Sequence, residues 1–139
     1  MITLPTDGPS YTAPHRALWW AGSILGLTGV GLGAFGAHAL KGRIDDGLLS
    51  AFETGVRYQL FHAVALLVVA WLAGAANSKA ARTAGWLLTS GTVLFSGSLY
   101  LMAIGAPRWF GAITPFGGVC LMAAWVLVAI AGGRLSRAR

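Results

Sequence analysis

The stretch FETGVRYQLFHAVAL, residues 52–66, places an acid, a base and an imidazole at the start of an apolar run. Such side chains transfer protons, form ion pairs and bind metal ions. Glu53 and Arg57 are four residues apart, the spacing at which neighbours on one helix face form an ion pair. We therefore predict that Glu53 pairs with Arg57, or with Lys41, at the water boundary, while His62 enters the bilayer nearby.

Metal binding is the most specific function that these residue types allow. Glu53 and His62 are nine residues apart, which puts them on opposite sides of a helix with 3.6 residues per turn. A metal ion would therefore need His38 from another helix, and two histidines without a third ligand are a weak signal. We expect no metal, haem or other cofactor. The sequence also lacks a nucleophile with a base and a phosphate-binding loop, so no enzymatic activity is expected.

The composition indicates which elements must position these residues. Of the 139 residues, 56% are hydrophobic and only 10% are charged, whereas soluble domains have about 25% charged residues. The net charge of +6 comes from basic residues at the ends of apolar runs, where they meet anionic lipid headgroups. We therefore expect the lipid bilayer as a partner, and no nucleic acid.

Four apolar runs predict the fold, an all-α integral membrane protein with an antiparallel bundle of four transmembrane helices. A run of about 20 residues crosses a hydrocarbon core of about 30 Å. The predicted helices lie at about 17–37, 46–76, 84–104 and 110–131, within a transmembrane domain at 17–131. A flexible tail (1–16) and a basic tail (132–139) flank this domain.

The start of the second helix has two alternatives. Ser50 and Glu53 fit a capping box, whereas Asp45 or Asp46 could cap the helix earlier.

The basic residues predict the orientation of the bundle, because cytoplasmic loops carry an excess of lysine and arginine. Short turns make neighbouring helices antiparallel, so both termini lie on one side. The six basic residues of that side are Arg16, Lys79, Arg82, Arg134, Arg137 and Arg139. The four on the other side are Lys41, Arg43, Arg57 and Arg108. Both termini are therefore expected in the cytoplasm of a multi-pass plasma (inner) membrane protein.

The same topology brings polar side chains to the other end of the bundle. This predicted polar layer comprises His38, Glu53, Arg57, Tyr58, Gln59, His62, Tyr100 and Thr114. We expect His38 and His62 at one depth in it, with Tyr58 and Tyr100 pointing inward.

A glycine stripe marks one face of the first helix. Gly22, Gly26, Gly29 and Gly33 are spaced four, three and four residues apart, and such stripes let helix backbones approach closely in lipid. A groove for a lipid or quinone tail is the alternative. The facing surface could come from small residues of the third helix, namely Ser90, Gly91, Gly97 and Ser98.

Four stretches resemble those of a known family. They are GAFGAHAL (33–40), FETGVRYQLFHAVAL (52–66), LFSGSLY (94–100) and GAITPFGG (111–118). Together, and in this order, the chain is similar to small bacterial membrane proteins grouped as a domain of unknown function, related to the eukaryotic transmembrane protein two hundred and fifty-six. The resemblance covers about residues 17–130 and implies a four-helix membrane protein, but no activity.

Two functional hypotheses remain open. The first is a non-enzymatic protein that packs as an accessory component of a membrane complex, with a partner membrane protein or as a homo-oligomer. The alternative is transport or binding of a proton, small solute, lipid or quinone at the polar layer containing His38, Glu53 and His62.

Overall fold

The computed structural model describes residues 13–136, with side chains as far as Gly133, and its regular elements are all helical. Helix α1 (Arg16–Phe35) continues into a π-helical turn (Gly36–Leu40). Helix α2 spans Asp46–Ala75 and α3 spans Lys79–Ala103. A 3₁₀ turn (Arg108–Ala112) precedes α4 (Thr114–Ser136). Most of the predicted N-terminal tail and the last residues of the predicted C-terminal tail lie outside the described residues.

The chain just before α1 packs against α2. The backbone N–H of His15 donates to the carbonyl oxygen of Ala70 at 2.7 Å. This contact ties the start of α1 to the last turns of α2.

Side-chain caps fix where α2 and α3 begin. A carboxylate oxygen of Asp45 accepts hydrogen bonds from the backbone N–H groups of Gly47 (2.9 Å) and Leu48 (3.3 Å). The capping alternative at Ser50 is therefore not used, because the helix is already formed one turn earlier. Ser78 caps α3 in the same way, accepting from the N–H of Ala81 at 3.3 Å.

The four helices run antiparallel, and each packs along its length against the next in sequence. Helix α1 also touches α3, but within residues 13–136 no extensive interface joins α1 to α4. Helix α3 therefore lies at the centre of the arrangement, between α2 and α4.

The glycine stripe of α1 faces α2. A methyl group added at Gly29 would stand 2.8 Å from Cδ2 of Leu60, and one added at Gly33 would stand 3.3 Å from Cγ1 of Val56. Gly22 and Gly26 likewise face α2, at Leu67 and Ala63. The expected facing surface on α3 is wrong, since the small residues of α3 lie elsewhere.

Neither of the two glycines expected to form this surface on α3 contacts α1. Gly91 packs against Leu121 of α4, and around Gly97 nothing approaches an added methyl group within 4 Å.

The outer surface of the bundle suits lipid. Large apolar side chains point outward along the helices, with Leu27 76% and Phe61 75% exposed, and all four helices are long and apolar enough to cross a membrane. Five exposed tryptophans lie within about two turns of a helix end, where membrane proteins concentrate them. They are Trp19, Trp20, Trp71, Trp86 and Trp109. The prediction of a four-helix membrane protein is confirmed.

The buried interior has two apolar clusters. One surrounds Leu18, Leu66 and Leu88 on the side of the termini, and the other surrounds Phe52 and Val56 near the opposite end. The buried polar side chains lie along α2 and α3 at positions between these clusters. They are Gln59, His62, Thr92, Ser96 and Ser98.

Candidate functional site

The predicted polar layer separates into three groups with different surroundings. One group is exposed near the start of α2, a second forms hydrogen bonds between helices inside the bundle, and a third lines a groove between α2 and α4. The exposed group comprises His38, Glu53 and Arg57. The hydrogen-bonded group comprises Gln59, Tyr100 and Thr114. The groove group comprises Tyr58 and His62.

The first group makes no ion pair. Glu53 and Arg57 are both exposed, and Arg57 donates from its guanidinium to the hydroxyl of Thr54 at 3.2 Å. Within residues 13–136, Glu53 pairs with neither Arg57 nor Lys41, so that prediction is wrong. The guanidinium of Arg57 is instead directed to Thr54, three residues earlier on the same helix.

His38 and His62 do not lie at one depth, which corrects a second prediction. Gly36, at the end of α1, packs on Phe52 of α2, and Phe52 precedes His62 by ten residues. Ten residues of α-helix rise about 15 Å, and His38 lies in the π-helical turn that follows Gly36. The prediction placed the entry of the second helix into the bilayer just before His62, whereas the contact of Gly36 with Phe52 brings the end of α1 beside a residue ten positions earlier on α2.

Gln59 is the centre of the second group. Its side chain is 4% exposed. The amide nitrogen donates to the carbonyl oxygen of Leu25 (2.8 Å) and to the hydroxyl of Thr28 (2.9 Å), both on α1. The amide oxygen accepts from the hydroxyl of Tyr100 on α3 at 2.8 Å. One side chain of α2 therefore connects three helices, and both its amide nitrogen and its amide oxygen are used in these contacts.

Hydroxyl groups make two further links between helices. Ser96 donates to the carbonyl oxygen of Gly55 at 2.8 Å, joining α3 to α2. The hydroxyls of Ser98 and Thr114 lie 2.7 Å apart, joining α3 to α4. Thr114 thus belongs to the contact between α3 and α4.

His62 belongs to the third group and has both ring nitrogens engaged. Nδ1 lies 2.7 Å from the carbonyl oxygen of Tyr58, and the indole N–H of Trp125 donates to Nε2 at 3.3 Å. Because a carbonyl only accepts and an indole N–H only donates, Nδ1 carries the proton and Nε2 accepts. The imidazole is therefore neutral and joins α2 to α4.

A groove of about 540 Å³ opens beside His62 between α2 and α4. Its principal lining side chains are Tyr58, Phe61, His62, Phe95, Met122 and Trp125. Tyr58 stacks on Phe95, with ring centroids 4.3 Å apart and planes 22° apart. Since Phe95 is four residues from Gly91, the middle residue of α3, the groove lies well inside the membrane.

Sequence reasoning missed the α3 and α4 sides of this groove. Trp125 carried a usable signal, because it is the one tryptophan of six that falls in the middle of a predicted helix. Phe95 and Met122 carried none, since an apolar side chain in a membrane helix does not reveal whether it faces lipid or a groove.

The chemistry open to these groups is hydrogen bonding and stacking. In the described part of the chain, no three histidine, cysteine, aspartate or glutamate side chains cluster as metal ligands. The groove offers a donor at the Tyr58 hydroxyl and aromatic side chains, whereas Nε2 of His62 already accepts from Trp125.

Comparison with known proteins places the chain among bacterial membrane proteins. The family model described as protein of unknown function (DUF423) matches residues 32–118. The UPF0382 membrane protein YwdK of Bacillus subtilis is 48% identical over 111 residues, which are 79% of this chain and 90% of that protein. The UPF0382 membrane protein SH2409 of Staphylococcus haemolyticus is 41% identical over 109 residues, 78% of this chain and 88% of that protein. No solved structure matches significantly.

Proposed function

The chain belongs to the family of membrane proteins described as protein of unknown function (DUF423), and from this premise we propose that it binds a small membrane-soluble ligand in the groove between α2 and α4. The proposal includes no enzymatic activity. It places the protein in the bacterial plasma membrane as a multi-pass protein.

The observation that carries this proposal is the hydroxyl group of Tyr58. Tyr58 lines the groove and is 42% exposed, and its hydroxyl has no hydrogen-bond partner within the described residues. At this depth the surroundings are hydrocarbon, where an unpaired hydroxyl costs free energy that it would not cost in water. A ligand with a hydrogen-bond acceptor in the groove removes that cost.

Binding without catalysis fits the side chains that line the groove. His62 is the one ionisable side chain there besides Tyr58, and both of its ring nitrogens already hold hydrogen bonds. The other lining groups are apolar, aromatic or glycine. Such walls orient a ligand but offer no nucleophile.

A specific observation favours a second candidate, an accessory component that packs against a partner membrane protein or a second copy of the chain. Gly31 lies on the exposed side of α1, where nothing approaches an added methyl group within 4 Å. Its neighbour Val30 is 65% exposed. A small residue on an outward apolar face is typical of helix contacts in membranes.

The experiment that tests ligand binding compares two glycine variants of α4. Gly118 lines the groove and has only the Phe95 ring nearby, at 3.9 Å from an added methyl group, so leucine there would fill the groove. Gly132 is exposed with nothing within 4 Å, which makes Gly132→Leu the matched control.

Each protein is purified from its host membrane in mild detergent, and its small molecules are extracted and identified by mass spectrometry. We expect one compound in stoichiometric amount with the parent and Gly132→Leu, and its loss from Gly118→Leu. Equal extracts from all three proteins would contradict ligand binding. A stoichiometric protein that copurifies with all three would support the accessory role instead.

We also propose that both termini face the cytoplasm. The support is the six-to-four distribution of basic residues between the two sides. Reporter fusions at the C-terminus and in the loop between α1 and α2 test it, and an external C-terminus would reverse the orientation.

A further inference from the structure

We infer, on the basis of the proposed ligand-binding function, that the groove between α2 and α4 binds a planar, uncharged ring that carries a carbonyl group and an apolar tail. Isoprenoid quinones are the membrane lipids with this chemistry. The inference concerns binding alone and includes no redox step.

The aromatic walls of the groove favour a flat ring. The rings of Tyr58 and Phe95 are nearly parallel, and the Tyr58 and His62 rings are also stacked, 5.7 Å apart with planes 25° apart. Trp125 stands edge-on to His62 with a plane angle of 64°. Where these rings do not cover one another, a planar ligand ring gains stacking or edge-to-face contacts on the aromatic lining of the groove, which a saturated chain cannot.

The polar groups of the groove favour a carbonyl. The Tyr58 hydroxyl is a free donor, so its natural partner in hydrocarbon is an uncharged acceptor oxygen. The indole N–H of Trp125 is a second donor. Its 3.3 Å bond to His62 is long for a hydrogen bond, and the side chain is 50% exposed. A ring with two carbonyl groups could accept from either donor.

The absence of charge in the groove argues against other lipid headgroups. No lysine, arginine, aspartate or glutamate lies among the described residues that line it. A phosphate or carboxylate headgroup would therefore be buried without a counter-charge, which is unfavourable in a low dielectric. An uncharged head avoids this cost.

The size and position of the groove suit a lipid with a long tail. About 540 Å³ falls in the usual range for small-ligand sites, roughly 300 to 1,000 Å³. The groove opens sideways between α2 and α4, beside the exposed ring of Phe61. The ring can therefore occupy the groove while the tail stays among the lipid chains.

The test uses the full chain in lipid nanodiscs free of quinone. The probes are a menaquinone and a ubiquinone with short isoprenoid tails, and an isoprenoid alcohol without the ring serves as the tail control. Binding is followed by quenching of tryptophan fluorescence, and the contribution of Trp125 is the difference between the parent and Trp125→Phe. The rise in melting temperature measures binding independently. We expect saturable binding of at least one quinone and none of the alcohol.

Variants then locate the site. Tyr58→Phe should weaken quinone binding about 3- to 10-fold, the loss expected for one neutral hydrogen bond, without changing the melting temperature of the empty protein. Gly118→Leu should abolish binding. Tyr100→Phe is the matched control, because its hydroxyl bonds Gln59 outside the groove, and it should keep the parent affinity.

Three outcomes would overturn the inference. The first is that the parent binds quinone no more tightly than Gly118→Leu does. The second is that the ring-free alcohol binds as tightly as the quinone. The third is that Tyr58→Phe and Tyr100→Phe lose equal quinone affinity. The proposed function fails separately. If another lipid is extracted from the parent and is missing from Gly118→Leu, ligand binding stands and the quinone assignment is wrong.

Discussion

Replacing Gln59 with leucine removes three hydrogen bonds that connect α2 to α1 and α3, at nearly constant side-chain volume. Hydrogen bonds between membrane helices contribute about 0.6 kcal/mol each on average. We therefore expect Gln59→Leu to lower the free energy of unfolding by about 2 kcal/mol. Tyr100→Phe, which removes one of the three bonds, should lower it by about 0.6 to 1.7 kcal/mol.

The double variant separates hydrogen bonding from other effects of the substitutions. Leucine also avoids the desolvation of an amide, so the single-variant value mixes two contributions. In the background of Gln59→Leu the Tyr100 hydroxyl has already lost its acceptor. Tyr100→Phe should then have little further effect, which gives a coupling of about 0.6 to 1.7 kcal/mol.

The assay is reversible unfolding in mixed detergent micelles, titrated with dodecyl sulfate and followed by far-ultraviolet circular dichroism. Tyr58→Phe is the matched control, since its hydroxyl has no partner within the described residues. The change it causes should stay within about 0.5 kcal/mol. Additive effects of Gln59→Leu and Tyr100→Phe would refute the view that this amide joins the helices.

Two further predictions concern packing and the histidines. Gly117→Ala should be less stable than Gly118→Ala by about 1 to 3 kcal/mol. A methyl group at Gly117 would stand 2.5 Å from the backbone nitrogen of Phe95, whereas one at Gly118 meets only ring carbons at 3.9 Å. Equal melting temperatures of the two variants would argue against close backbone approach of α3 and α4. His62→Ala should lower the free energy of unfolding by about 1 to 3 kcal/mol, because it removes a buried side chain and leaves the indole N–H of Trp125 without its acceptor. The exposed His38 should tolerate alanine within about 0.5 kcal/mol, and the same unfolding titration compares the two.

The sequence determined the class of protein and the number of helices. Four runs with almost no charge can satisfy their backbone hydrogen bonds inside a bilayer only as helices or as a closed barrel, and their length fits helices. The glycine spacing on α1 also showed which side of that helix allows close approach. These properties are readable because they depend on the local order of residue types along one helix.

Only the tertiary structure decided how the polar residues are distributed. The sequence placed His38, Gln59 and His62 in one layer, but the register set by Phe52 against Gly36 moves the two histidines apart in depth. In the structure, the side chain of Gln59 forms hydrogen bonds with α1 and α3, and that of His62 accepts one from Trp125 on α4. The physical reason is that rotation and register between helices depend on side-chain packing across interfaces, which the spacing of residues within one helix does not specify.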